Sequence, residues 1–437
     1  MPGKKVFITG LLAVLLFMLL LLAAGCGGHD SYFRDEQPTP LSSDVIVIGD
    51  STAALVAALE ASRHGASVLV FFDQQHMDSW LFDEGCLAAG DDEEAAASPA
   101  ELKEALMAFG GGKGQSWHYN LLAENTASDL AWLCRETGLE LALESPLLSR
   151  PVNLSVELLY EQLYSAALDE GVRFMAGTKV LELIIEDRNI AAGIRFNGEN
   201  ETVREAYAPA VILADGGILS HEALMKKLAP AVGAASWRRG QVGMGWQAAM
   251  RAGLDLVDTN LFSYAPAIEE NGSWIKARWP AGTLLVAGDS LVPLDGLTDQ
   301  EVALQLLNCD GQSGHLVVAE SYLGSDTNLS WPRFAGIDAL MKTYHIDLPS
   351  LRLWYLQPWD YFYGIPVKAV AEYCLGGIAV NQDGEALRRG ERVQGLYAVG
   401  EIAGGLHGEG LMPGAAFSEA VVWGRIVGRN AAELAQR

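Results

Sequence analysis

One stretch restricts the fold of this chain more than any other: Asp44–Asp73, DVIVIGDSTAALVAALEASRHGASVLVFFD. Asp44–Ile48 is apolar and β-branched, as a strand buried on both faces of a parallel sheet requires. Gly49–Ala54 is a turn of small residues, Leu55–His64 has helical periodicity with Gly65 as its stop signal, and Val68–Phe72 is a second buried strand. Strand, tight turn, helix and strand make half of a dinucleotide-binding unit, in which a pyrophosphate rests against N–H groups at the helix N-terminus. The usual G-x-G-x-x-G/A fingerprint is altered to Gly49-Asp50-Ser51-Thr52-Ala53-Ala54. Gly49 permits the turn, Ala53 and Ala54 are small enough for close packing, and Ser51 stands where a glycine would let the backbone approach phosphate. Asp73 is the carboxylate nearest the place where one would meet the ribose hydroxyls. The same pattern also suits a βαβ unit kept for packing alone.

The 437 residues are enough for two domains, and half of them are hydrophobic. The net charge of −25 disfavours nucleic acid and anionic lipid surfaces as partners. Cys26, Cys86, Cys134, Cys309 and Cys374 show no haem-attachment or zinc spacing, and a disulfide among them cannot be assigned. The eight histidines likewise show no metal-ligand spacing, so no metal is expected.

Lys4 and Lys5 precede an apolar run, Val6–Ala24, and then Gly25-Cys26. This is an export-signal pattern resembling that of bacterial lipoproteins, with Cys26 as the lipidated residue after cleavage. An uncleaved membrane anchor is the alternative, since the run is just long enough to span a bilayer. Either reading puts the body of the protein on the extracytoplasmic face of the cell membrane. Residues 27–43 are polar and Pro-containing, a flexible tether.

Beyond the first unit, Ser98-Pro99-Ala100-Glu101 is a helix start. Helices are expected through Asn120–Thr137 and Val156–Glu170, and strands at Val172–Phe174, Thr178–Glu186, Ala191–Phe196 and Ala210–Ala214. Residues 236–352 change character, rich in Trp, Gly and loop signals. Strand patterns then return, Gly395–Gly400 leads into a glycine-rich turn, and the last helix runs from Ala415 to Ala435. The expected fold class is α/β: a discontinuous Rossmann-like nucleotide-binding domain (44–235 and 353–437) with an inserted α+β capping domain (236–352). A cleft between two such parts is a common ligand site.

Several segments together resemble the flavoprotein family of fumarate reductases, succinate dehydrogenases and L-aspartate oxidases, across 44–437. They are Gly395-Leu396-Tyr397-Ala398-Val399-Gly400-Glu401 with Gly404-Gly405-Leu406-His407-Gly408, Ala214-Asp215-Gly216-Gly217, Gly110-Gly111-Gly112, and Gly243-Met244-Gly245. The resemblance implies an FAD cofactor and hydride transfer at flavin N5, and it implies a ribityl contact for Glu401. It also gives Gly110, Gly111, Ala214, Gly216, Gly243, Gly405 and Ala416 as cofactor-facing positions. Gly85 takes the place of the histidine that carries covalent flavin in some members, so FAD is expected to be noncovalent.

The family's dicarboxylate chemistry is not matched. Glu372 aligns with a substrate-binding histidine and Leu411 with an arginine, while Met244 and Phe72 replace flavin-contacting acids. Trp279–Pro332 contains no Lys or Arg. Glu372 and Glu409 would repel a dicarboxylate, so fumarate and succinate are not the expected substrates. Glu372, Tyr373 and His407 are the candidate catalytic groups, although a solvated carboxylate and a backbone-bonded histidine are the plainer roles. Trp237, Trp246, Trp274 and Trp279 are candidates for an apolar pocket or for core. The expected partners are a small-molecule substrate or a redox protein. The alternative of another class is a catalytically silent binding or scaffold protein on the same fold.

Overall fold

The computed structural model describes residues 40–73, 85–90, 96–198, 201–219, 221–228, 230, 243–270, 273–323, 330–346 and 361–437. Cys26, the signal segment and Trp237 lie outside the described residues.

The strand expected at the start of the chain forms as Val45–Ile48, with every side chain fully buried. It pairs in parallel with Val68–Phe71 on one side and Ala210–Leu213 on the other. Glu391–Ala398 extends the parallel row beyond Ala210–Leu213, and Arg173–Met175 extends it beyond Val68–Phe71. Strands from both ends of the chain therefore alternate in one ten-stranded sheet. An antiparallel group, Lys179–Glu186, Ile190–Asn197 and Val203–Tyr207, completes it.

Helix Thr52–Arg63 connects the first two strands and lies against the last helix, Ala415–Ala435. Glycine makes that contact possible: a Cβ on Gly428 would stand 2.5 Å from the Ala57 carbonyl oxygen. A buried ion cluster joins the same helices. Arg425 holds Glu60 through Nε and Nη2 (3.1 and 3.2 Å), bonds Asp129 of helix Ser116–Thr137, and lies 4.6 Å over the Trp132 ring.

A second, seven-stranded sheet has the order Ser273–Lys276, Phe262–Glu270, Tyr361–Cys374, Ser313–Ala319, Leu284–Ala287, Ser290–Pro293, with Arg333–Ala335 paired to Tyr361–Cys374. Helices Asp299–Leu307 and Ile337–Thr343 supply Val302, Ala303 and Leu306 to one apolar cluster and Ile337, Leu340 and Met341 to another. The strand expected after residue 352 as part of the first sheet is instead the long central strand of the second. Its antiparallel neighbours on both sides hold it there as far as Cys374, and the chain turns back toward the first sheet at Gly376-Gly377. The hairpin Leu141–Ser145/Leu148–Pro151 is an addition. Its first strand is largely exposed, so no buried alternation marked it in the sequence.

Among the described residues, Trp246, Trp274 and Trp279 do not share one pocket. Trp246 is buried in the core of the first sheet, while Trp274 lies under Lys368 and Trp279 sits at the edge of a second-sheet cluster. Among the described residues, Cys86, Cys134, Cys309 and Cys374 are free thiols, and no helix is long and apolar enough to cross a membrane. No group of three metal-ligating side chains occurs among them either.

Candidate functional site

The altered nucleotide turn lies at the carboxyl ends of the parallel strands, where open α/β sheets bind ligands. Gly49 adopts φ 118° and presses against the next strand, so that a Cβ there would stand 2.4 Å from the Ala214 carbonyl oxygen. Ser51 N-caps the helix: its hydroxyl accepts the Ala54 N–H (3.2 Å) and donates to the Ala214 carbonyl (2.7 Å). The side chain that replaces glycine thus tightens the turn and takes one of its N–H donors. As first-turn donors, the N–H groups of Thr52 and Ala53 have no carbonyl partner within the helix. Gly216 has φ 77°.

Around this turn the buried acids are unusual. Asp215 accepts the Gly245 N–H (2.6 Å) at the start of helix Met244–Ala252, just after Gly243, but its other oxygen has no partner. Burial pushes its pKa up to about 7, and the nearby N–H groups oppose the shift. Glu419, on the last helix, has no hydrogen-bond partner on either oxygen. Burial first, then Glu401, raises its pKa to about 8 against the opposing pull of the Gly400 N–H. Glu401 accepts the Cys374 N–H (2.8 Å) and fills the space above Gly217, tying the first sheet's final loop to the second sheet.

The glycine block and the Gly404–Gly408 loop meet each other. A Cβ on Gly110 would stand 2.1 Å from the Tyr119 hydroxyl and 2.3 Å from the His407 carbonyl oxygen, and Tyr119 donates to that carbonyl (2.8 Å). Gly111 lies beside Glu409, and Gly405 (φ 74°) beside Val257 and Asp258. His407 is buried, its Nε2 has no partner, and burial lowers its pKa to about 4. A neutral imidazole here accepts or donates one hydrogen bond and carries no charge. Tyr373 stands edge-on to it with ring centroids 5.8 Å apart, and His118 lies 5.2 Å away on the other helix.

On the far side of this loop a cleft of about 640 Å³ separates the first sheet's last helix from the second sheet. The helix contributes its N-terminus: Gly414 (φ 80°) provides no side-chain cap, and no acid occupies the first turn. Ala416 and Phe417 line the cleft there, with Phe109, Leu148, Leu411 and Met412 beside them. The opposite wall is polar. Glu372 receives Lys276 on Oε2 (3.1 Å) and the Ser263 hydroxyl on Oε1 (3.0 Å), while Lys276 also binds Asp299 (2.8 Å).

The structure therefore brings Gly49, Ser51, Ala53, Ala54, Ala214, Gly216, Gly243 and Glu401 to one rim, through the contacts of Gly49 with Ala214, Gly400 with Ala53 and Glu401 with Gly217. Gly110, Gly111, Gly405, Tyr373 and His407 form the adjoining loop contacts, and Glu372 and Ala416 face the cleft. Asp73 lies two residues past strand Val68–Phe71, whose Phe71 carbonyl accepts the Gly49 N–H, and its carboxylate is 4.0 Å from Lys179. Sequence reasoning missed Lys276, Arg278 and Asp299. The alternation Lys276-x-Arg278 just before the cation-free segment Trp279–Pro332 was the available signal.

FAD fits this arrangement in outline. Buried polar atoms without partners are rare in native interiors, yet here His407 Nε2, Asp215 Oδ1, both Glu419 oxygens and Trp423 Nε1 all lack one. An uncapped helix N-terminus, positive in its field, opens on the same region.

The FAD binding domain family matches residues 147–270 and 330–416. Among curated proteins the chain is similar to a fumarate reductase (cytochrome) of Shewanella frigidimarina, at 23% identity over 90% of this chain and 78% of that one. It is also similar to an L-aspartate oxidase of Streptomyces coelicolor, at 24% identity over 92% and 70%. Among solved structures, the open conformation of a flavocytochrome c3 fumarate reductase superposes with TM-score 0.77 at 19% identity, over 91% of this chain and 80% of that one. A 3-ketosteroid-Δ4-(5α)-dehydrogenase from Rhodococcus jostii gives TM-score 0.73 at 17% identity, over 92% and 99%. The fold, the order of its glycine turns and these matches agree: residues 147–270 and 330–416 match an FAD binding domain, and the chain is similar to the flavoprotein fumarate reductases and L-aspartate oxidases.

Proposed function

We propose that this protein is an oxidoreductase that binds FAD noncovalently and acts on an apolar or weakly polar substrate held in the cleft beside the last helix. The observation that carries the reading is the cleft itself, about 640 Å³, open to an uncapped helix N-terminus on one side, with an apolar wall of Phe109, Leu148, Leu411, Met412 and Phe417 facing a wall of internally paired polar groups. FAD supplies hydride chemistry at its N5 position. The Thr52 and Ala53 N–H groups would hold its pyrophosphate, and the helix N-terminus at Gly414–Ala416 would stabilise negative charge developing on its ring. Phe109, Leu148, Leu411, Met412 and Phe417 shed water and orient the substrate. His407, neutral and buried, fixes the Gly404–Gly408 loop through its carbonyl bond to Tyr119. Fumarate and succinate are poor fits, because Leu411 offers no charge and the wall's cations are already paired.

The test is reconstitution of the full-length chain with FAD, followed by anaerobic reduction and mixing with apolar unsaturated compounds, with fumarate in parallel. Saturable uptake with an absorbance band near ~450 nm, and reoxidation by the apolar compounds only, supports the reading. A protein that takes up no FAD supports the rival, a binding or scaffold protein on the same fold. Two observations favour that rival: Ser51 occupies a turn donor, and Glu401 is engaged with Cys374.

We propose further that the protein is exported and held at the extracytoplasmic face of the membrane by lipid on Cys26, on the strength of the Lys4–Cys26 pattern. Mass spectrometry of the mature N-terminus tests this. A diacylglyceryl-cysteine that is lost in Cys26→Ala supports it, and an unprocessed Met1 contradicts it.

A further inference from the structure

Lys276 ends the edge strand of the second sheet with its side chain only 9% exposed, and it is clasped by two carboxylates from different elements. Glu372 comes from the long central strand and Asp299 from the first turn of helix Asp299–Leu307. Glu372 has no idle oxygen, since Oε1 accepts the Ser263 hydroxyl and Oε2 takes Lys276. Arg278, the next cation on this wall, lies 3.5 Å from the same Asp299 oxygen that binds Lys276. Across the cleft the pattern repeats: Arg150 pairs with Glu144, and Lys113 with Glu409 at 2.5 Å. Glu301 is bound to Thr298 in a capping box. Every cation lining the cleft among the described residues thus has a carboxylate of the protein against it.

We infer that Glu372 is the specificity-determining residue of the cleft, excluding carboxylate ligands by serving as the built-in counter-ion of Lys276. The inference rests on the cleft being the substrate site. An acidic ligand reaching Lys276 must displace Glu372 or Asp299 and leave that group desolvated without its partner, which is costly in a closed site. A neutral ligand with an apolar body breaks no pair. It gains the burial of Phe109, Leu148 and Leu411 surface, and it can accept one hydrogen bond from the wall. The favoured substrate class is therefore uncharged molecules with a single weakly polar end. Neutralising Glu372 while keeping its shape leaves Lys276 with one acid in place of two and turns the wall into a carboxylate receptor.

The experiment measures binding of succinate, and of its neutral dimethyl ester, to the full-length chain by calorimetry. The wild type is expected to bind succinate no more tightly than buffer controls. Glu372→Gln should bind it at least ~10-fold more tightly, in line with charge-assisted pairs. The gain should vanish in Glu372→Gln/Lys276→Met, and the ester should respond to neither change. Equal succinate affinity in wild type and Glu372→Gln, or a gain that survives loss of Lys276, overturns the inference. Should Glu372→Gln fail to fold, Glu372→Ser removes the same counter-ion with a smaller side chain and is expected to give the same gain, with no gain again overturning it. The titrations run with or without FAD, so a chain that takes up no flavin counts against the oxidoreductase reading alone.

Discussion

Replacing Arg425 with Met removes the cation that joins three helices while keeping most of its apolar volume. Glu60 and Asp129 have side chains 3% and 8% exposed, so neither can turn to water when the guanidinium is lost. Arg429 reaches only to 3.6 Å of Glu60 and is itself half in solvent, so it compensates little. Breaking a buried ion pair by removing one partner typically costs about 3–5 kcal/mol, and this cluster falls in that range. The loss of the Arg425–Trp132 contact adds about 0.5–1 kcal/mol. Urea unfolding of wild type and variant, compared by midpoint at matched slope, reads the difference. The sign with pH is fixed. Burial already raises the Asp129 pKa against the pull of Arg425, and without Arg425 it rises further. The deficit therefore shrinks as pH falls through the carboxylate range, where the acid becomes neutral in both states, and grows as pH rises. Glu60→Gln/Arg425→Met should recover part of the loss. A deficit below about 1 kcal/mol, or one independent of pH, would show that the cluster does not staple these helices.

Two further outcomes follow from the buried groups around the nucleotide turn. Asp215 and Glu419, with pKa values of about 7 and about 8, are neutral in the fold at acidic pH and ionise as pH rises with no cation beside them to offset their burial. Their folded pKa values exceed the unfolded ones, so the stability they contribute is present below the ordinary carboxylate range and is lost as pH climbs from there through the folded values. Unfolding midpoints should fall as pH rises from the ordinary carboxylate range, ~4, up to these folded values and level off above them, FAD affinity should weaken with them, and Glu419→Gln should flatten both curves. Gly110→Ala, whose Cβ would collide with the Tyr119 hydroxyl and the His407 carbonyl, should destabilise by about 1–3 kcal/mol. Denaturation beside Gly112→Ala, where the Cβ meets nothing although φ is positive (70°), separates collision from backbone strain.

The sequence showed most of the first sheet, because its strands and helices carry strong local signals. Val45–Ile48 is uninterrupted β-branched chain, Ser98–Glu101 forms the capping box its spacing implies, and the last helix spans Ala415–Ala435 as its periodicity requires. The second sheet was less legible. The place of Tyr361–Cys374 depends on partners more than a hundred residues away, as in the pairing of Phe262 with Cys374, and no local pattern encodes that. The glycine turns of the site were visible as letters, but their purpose was not. Gly110 and Gly408 are small because they touch each other's backbone, and Gly49 because it touches Ala214. The paired wall of the cleft was hidden for the same reason: Lys276, Asp299 and Glu372 are separated in sequence and become one network only across three elements.

The most direct test of the whole account is a crystal structure of the chain grown with FAD. The account predicts an isoalloxazine ring against the Gly404–Gly408 loop, with its pyrimidine end at the N-terminus of helix Ala415–Ala435 and its pyrophosphate on the Thr52 and Ala53 amides. The cleft lined by Leu411, Phe417 and Glu372 would lie open on one face of the ring. Density for the nucleotide elsewhere, or none with the crevice closed by Ser51, Asp215 and Glu419, would contradict it.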